Sequence, residues 1–160
     1  MEYIIKDAYE YSEEIKDLFT EYTDMLIEND STFKEYLEQQ HYDNELMDLT
    51  QKYGRPAGRL YIAFDGEKAC GCIGLRKVDD ERCELKRLYV LPEMRGSGLG
   101  KKLVELIIEE AAGIGYKEII LDTLPFLKEA IELYKKYGFY EIDRYNDSPM
   151  DTSIYMRKDL

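Results

Sequence analysis

The segment "MRGSGLGKKLVELI", residues 94–107, holds the residues best suited to chemistry. Gly96, Gly98 and Gly100 alternate with Ser97 and Leu99, Arg95 precedes them, Lys101 follows, and an apolar helical pattern starts at once. A helix N-terminus exposes unpaired backbone N–H groups and a partial positive charge. Glycines in front of it let a ligand approach the backbone with no Cβ between. Arg95 and Lys101 add whole charges. This is the chemistry of a phosphate or pyrophosphate cradle. It is not the nucleotide loop G-x-x-x-x-G-K-S/T: Gly96 to Gly100 is one residue short, and Lys102 stands where Ser or Thr is required. The dinucleotide fingerprint G-x-G-x-x-G fails as well, because Lys101 occupies its third glycine position. On pattern alone, a tight strand-to-helix turn with no ligand remains an alternative.

The elements that must position this turn follow from periodicity. "EYIIK" reads as a first strand, and a helix runs from Ser12, its N-cap, through Ile15, Leu18, Phe19, Tyr22, Met25 and Leu26. Two shorter amphipathic pieces follow, around Phe33 to Leu37 and Glu45 to Tyr53. "RLYIAF", "ACGCIGLRKV" and "CELKRLYVL", separated by "DGEK" and "DDER", form an antiparallel meander. After the glycine turn comes a helix with Leu99, Leu103, Leu106, Ile107 and Ala111 on one face, stopped by Gly113 and Gly115. "EIILDTL" is a strand, Pro125 opens another helix, and "FYEIDRY" and "TSIYMRK" close the chain as strands. The unit at residues 84–124 should be a parallel strand–helix–strand crossover. The expected fold is α/β.

The stretch "CELKRLYVLPEMRGSGLGKKLVELIIEEA", followed by "LYKKYGF", resembles the GNAT superfamily of acetyl-coenzyme A-dependent N-acetyltransferases. The resemblance is strong over residues 84–139, and the order of elements extends it to nearly the whole chain. It implies one N-acetyltransferase domain over residues 1–160, with a mixed, mostly antiparallel central sheet flanked by helices. It implies an enzyme that transfers an acetyl group from acetyl-coenzyme A to a primary amine of a small molecule or peptide, by direct attack in a ternary complex. A non-catalytic acyl-coenzyme A binding or sensing module of the same fold is the alternative. Carried over by residue, Arg95, Gly96, Ser97, Gly98, Leu99, Gly100 and Lys101 match the pyrophosphate turn. Backbone groups of Leu88, Tyr89 and Val90 match those that pair with the pantetheine arm. That strand is expected to bulge and splay from its neighbour. Tyr134 matches the acid that serves the leaving thiolate, and Glu84 matches a glutamate base. Both also have plain readings: Tyr134 lies on a core-facing helix stripe, and Glu84 is in reach of an ion pair with Lys86 or Arg87. Strand alternation puts Glu84, Lys86, Leu88 and Val90 on one face. An asparagine common in the family is Leu127 here.

Composition bounds the partners. A net charge of -12 disfavours nucleic acid and anionic lipid and suits a cationic amine. The acidic, tyrosine-rich stretches 12–57 and 144–152, with Tyr36, Tyr42, Tyr53, Tyr145, Asp43, Asp147 and Asp151, are the expected acceptor region. A second copy of the chain, in a homodimer, is a further partner to test. With one histidine, His41, and Cys70, Cys72 and Cys83 in apolar surroundings, neither a metal nor a disulfide framework is expected. No signal-like or membrane-length apolar run occurs, so the expected location is cytoplasmic.

Overall fold

The computed structural model describes residues 2–160. One seven-stranded sheet runs through it in the order β1-β2-β3-β4-β5-β7-β6. The strands are β1 (Ile4–Asp7), β2 (Arg59–Asp65), β3 (Lys68–Lys77), β4 (Arg82–Val90), β5 (Glu118–Thr123), β6 (Tyr140–Ile142) and β7 (Ile154–Asp159). Only β4 and β5 pair in parallel, as the crossover reading requires. The meander β2–β3–β4 forms the centre, with Asp65 opposite Lys68 across the first turn.

The helices are α1 (Ser12–Asn29), α2 (Phe33–Gln39), α3 (Tyr42–Met47), α4 (Leu49–Tyr53), α5 (Leu99–Ile114) and α6 (Lys128–Lys136). They cover both faces of the sheet. A side chain at Gly71 would meet Leu99 and Leu103 of α5, whereas one at Gly74, an odd number of residues along, would meet Tyr53 of α4. Phe19 of α1 packs edge-on against Tyr53, which places α1 with α4. Helix α5 buries Leu99, Leu103, Val104, Ile107 and Ala111. Its four large aliphatic side chains stabilise the fold by about 1.5–3 kcal/mol each. Gly115, at φ 109°, ends it in the left-handed conformation that a side chain resists.

Three boundaries differ from the periodicity reading. Tyr11, not Ser12, is the N-cap of α1, and it makes no side-chain capping bond. The 45–53 helix is two helices, broken at Asp48, whose extended backbone lets its carboxylate accept the Thr50 N–H at 3.1 Å. Pro125 lies before α6 rather than at its first turn, because the Leu127 N–H closes a turn onto the Leu124 carbonyl. All three cysteines are buried thiols.

Candidate active site

The site begins as a parting of two strands. β4 pairs with β5 only where Arg82–Glu84 oppose Glu118–Ile120. Beyond that, β4 continues to Val90 and β5 to Thr123 without pairing. The cause lies on the other side of β4. Its register with β3 shifts between Cys72 and Gly74, where Ile73 alone faces Arg87 and Leu88. This is a β-bulge, which bends and twists its strand. Arg87 sits in it at φ 60°, a conformation rare for a bulky residue. Glu45 holds it there, accepting from Arg87 Nε at 2.9 Å and Nη2 at 3.0 Å, with the Tyr42 ring 5.2 Å from the guanidinium. Past the bulge, the Leu91 N–H donates to the Cys70 carbonyl at 2.9 Å. By alternation the Tyr89 backbone also faces β3, which leaves the backbone groups of Leu88 and Val90 facing the gap.

The glycine turn lies at one end of the same opening. A cavity of about 830 Å³ runs from Arg95, Gly96, Gly98, Leu99, Gly100 and Lys101, along Leu88, Tyr89 and Val90, to α1 and α2. Gly96 and Gly98 have φ of 82° and 87°. The N–H groups of Gly98, Gly100 and Lys101 find no acceptor among the described residues. These are the first donors of α5, aimed out of its N-terminus together with its dipole. Arg95 and Lys101 are exposed beside them. Ser97 is the exception within the expected turn. It is off the cavity wall; its Oγ accepts the Leu99 N–H at 3.3 Å and its own N–H donates to the Met94 carbonyl at 3.2 Å, so its polar atoms shape the turn.

Tyr134 lies on the cavity wall, 5% exposed, with its ring 5.6 Å from that of Phe139. Burial pushes its phenol far up from the ordinary value, and Tyr22 and Asp122 add to the rise. It therefore keeps its proton at neutral pH. The hydroxyl has no hydrogen-bond partner among the described residues. The core-face and site readings of this residue are compatible: the helix stripe buries the residue, and it also lines the cavity.

Glu84 is placed differently from the base reading. It is 2% exposed and is not on the cavity wall. Arg76 Nε donates to it at 2.6 Å and the Tyr145 hydroxyl at 2.5 Å, with Lys86 Nζ 3.9 Å away. Burial pulls its pKa up, but Lys86 and Arg76 outweigh it and hold the carboxyl down at about 2. The expected ion pair with Lys86 is present at 3.9 Å, Arg76 adds a closer one, and Arg87 pairs with Glu45 instead. The signal was available, because a hairpin turning at 78–81 sets residues 76 and 84 opposite. Strict alternation along β4 also fails. Lys86 and Arg87 both reach Gln40, at 2.5 and 3.1 Å, because the bulge turns successive side chains the same way.

Two carboxylates line the cavity: Glu129, exposed on α6, and Asp122, two residues past the last β5 residue paired with β4. The Tyr36 hydroxyl and Asn146 Nδ2 (3.0 Å) both donate to the Oδ2 of Asp122, and its Oδ1 has no hydrogen-bond partner among the described residues. Burial and Asp122 together push the Tyr36 phenol up. Nothing in "EIILDTL" marked Asp122, since a strand's last outward residue becomes a site only when its neighbour strand departs. Leu127 and Thr123 are on the wall, where the family asparagine would be sought. Of the expected acceptor residues, Tyr36 is on the wall and Tyr53 is buried against Glu45. Asp43, Asp147 and Asp151 are exposed and do not line the cavity. Among the described residues no group of three His, Cys, Asp or Glu could hold a metal, and no helix is long and apolar enough to cross a membrane.

Comparison with known proteins agrees with this geometry. A family model described as the acetyltransferase (GNAT) family matches residues 13–139. An uncharacterized N-acetyltransferase of Schizosaccharomyces pombe is 40% identical over 123 residues, 76% of this chain and 76% of its own. An acetyltransferase from Streptococcus agalactiae superimposes with a TM-score of 0.78 at 26% identity, over 99% of this chain and 98% of its own. A GNAT family acetyltransferase from Elizabethkingia anophelis, solved with acetyl-CoA bound, has a TM-score of 0.58 at 25% identity, over 72% of this chain and 82% of its own.

Proposed function

The chain belongs to the acetyltransferase (GNAT) family, an acyltransferase family, and from that membership we propose that it moves an acetyl group from acetyl-coenzyme A to a primary amine by direct attack within a ternary complex. One observation carries the reading: the unpaired edges of β4 and β5 and the donor-rich turn at 95–101 open into the same cavity. The residues fit the cosubstrate. Gly98, Gly100 and Lys101 present backbone donors to a diphosphate, and Arg95 and Lys101 add charge. Leu88 and Val90 offer backbone groups to an amide-bearing arm as a neighbouring strand would. An N–H at that edge also suits the thioester carbonyl, whose oxygen gains charge as the amine attacks. The relative solved with acetyl-CoA supports the same ligand.

In the reaction the amine lone pair forms the C–N bond, the C–S bond breaks, and sulfur keeps its electron pair. The nitrogen must shed a proton, and the sulfur leaves as a thiolate that takes its proton from water after release. Of the wall carboxylates, Asp122 is the one on the parted strand β5, and we assign its Oδ1 the incoming ammonium and its proton. Glu84 holds Arg76 and Tyr145 behind β4 rather than meeting the amine. Tyr134 donates a hydrogen bond to the forming thiolate. Its raised pKa makes it a donor rather than a proton source at rest, so it acts as charge grows on sulfur. The test is calorimetry with acetyl-coenzyme A, followed by thiol release against an amine panel. Absence of binding would refute the reading. Binding without turnover of any amine would leave the non-catalytic module.

A further inference from the structure

The cavity wall away from the glycine turn has more hydrogen-bond donors than acceptors. Lys86 is 8% exposed, and its ammonium makes one short contact, to Gln40 Oε1 at 2.5 Å. Its nearest carboxylate, Glu84, stands at 3.9 Å and is already paired with Arg76. Arg87 spends two nitrogens on Glu45 and shares Gln40 Oε1 at 3.1 Å. That amide oxygen thus serves two cations, which fixes the orientation of the group and turns its nitrogen away from both. Gln40 Nε2 is buried and has no acceptor among the described residues. Lys86, Arg87 and Gln40 all line the cavity. A buried donor without an acceptor is destabilising, because it has lost water and gained no partner. The same wall carries an apolar patch: Leu26, Phe33, Leu124 and Met150 belong to a small cluster separate from the main core.

We propose that this wall is an acceptor subsite for a carboxylate, and that the substrate is a small amino acid-like amine with an apolar body. The inference rests on the acetyltransferase reading above and specifies its substrate. The carboxylate takes the free valences of Lys86 and Gln40 Nε2, supplying the acceptor these donors lack. The apolar body lies against Leu26, Phe33 and Met150. The amine is left facing Asp122, at the mouth of the gap between β4 and β5. The net charge of -12 suits the cationic amine of such a substrate but does not report on this wall. The exposed Asp43, Asp147 and Asp151 do not reach this wall.

The experiment uses matched acceptors: phenylalanine with phenethylamine, leucine with isopentylamine, and each amino acid with its amide. Wild type should favour the free carboxylate by about 10- to 100-fold in kcat/KM, the range of a charge-assisted hydrogen bond. Lys86→Met keeps the chain length and should abolish that preference through KM. Gln40→Glu supplies the missing acceptor from within. It should melt no lower than wild type and yet lose the carboxylate preference, which separates the site from a folding defect. Binding of N-acetylphenylalanine against N-acetylphenethylamine to the coenzyme A-loaded protein gives the same comparison without turnover. Equal use of both members of each pair overturns the inference, as does failure of every carboxylate ligand to react or bind. If acetyl-coenzyme A still binds in those cases, only the substrate class falls. If it does not, the transferase reading falls and takes this one with it.

Discussion

At the scale of single residues, the two tyrosine and carboxylate assignments make opposite demands. Tyr134→Phe keeps the ring packed on Phe139 and removes a hydroxyl that holds nothing else in place. It should lower kcat by roughly 10²- to 10⁴-fold while thermal stability and acetyl-coenzyme A affinity stay near wild type. Unchanged kcat would reduce the residue to packing. Asp122→Asn should lower kcat/KM at neutral pH and recover partly at high pH, where free amine is abundant. Glu84→Gln should instead act on stability, because it strips Arg76 and Tyr145 of a partner held at pKa about 2. Pre-steady-state rates and denaturant melts of the two variants separate these roles. The glycines divide in the same way. Gly98, at φ 87°, is strained by any side chain, so its variants mix folding with binding. Gly100 is the cleaner probe: a Cβ there would stay 3.7 Å from Leu133, an ordinary contact. Gly100→Ala should hold or raise stability, by up to about 1 kcal/mol, yet weaken acetyl-coenzyme A binding in calorimetry, since the methyl enters the cradle.

At the scale of elements, the bulge of β4 is the device that makes a site out of a sheet. Without it β4 would pair with β5 along its length and no gap would open. Arg87 is both its strained residue and its anchor, through Glu45 of α3. Arg87→Met keeps a non-glycine residue at the same φ, so the backbone strain is unchanged and the loss reports the ion pair. Breaking a buried pair on one side typically costs about 3–5 kcal/mol. Urea unfolding should show that loss, and Arg87→Met combined with Glu45→Met should recover much of it. A double variant no better than the single one would mean that the pair does not hold the bulge. Helix α5 serves as the second device, because its apolar face pins it to β3 while its N-terminus stays open to the cavity.

At the scale of the whole molecule, buried carboxylates set the response to acid. Glu45 and Glu84 are pulled up by burial, but their cation partners win and hold both at about 2, below the usual 4.5. A depressed carboxylate stabilises the fold fully above its unfolded pKa and loses that contribution as pH falls through the folded value. Stability should therefore hold from neutral pH down to about 4.5 and fall steeply toward about 2, on the order of 3 kcal/mol for each group. Denaturant midpoints at a series of pH values check this, and a flat profile through pH 3 would contradict the two ion networks. The exposed Arg95 behaves differently. Its contribution to cosubstrate binding should fade with added salt, so Arg95→Ala should matter more at low ionic strength.

Much of this was legible in the chain before any fold was known. The glycine turn, the meander and the parallel crossover follow from local rules: side-chain periods of 3.6 and 2, and the freedom of glycine before a helix, while the place of Tyr134 in the site came from the family resemblance. Those rules concern neighbours in sequence, and a sequence states them directly. The place of Asp122 on the wall, the fate of Glu84 and the donor surplus around Gln40 did not follow. Each depends on residues far apart in the chain: Asp122 with Tyr36 and Asn146, Glu84 with Tyr145, Gln40 with Lys86 and Arg87. One extra residue in β4 shifted every side chain after Lys86 relative to the alternation. A period can be read along the chain, but the point at which packing breaks it is set only when strands and helices meet.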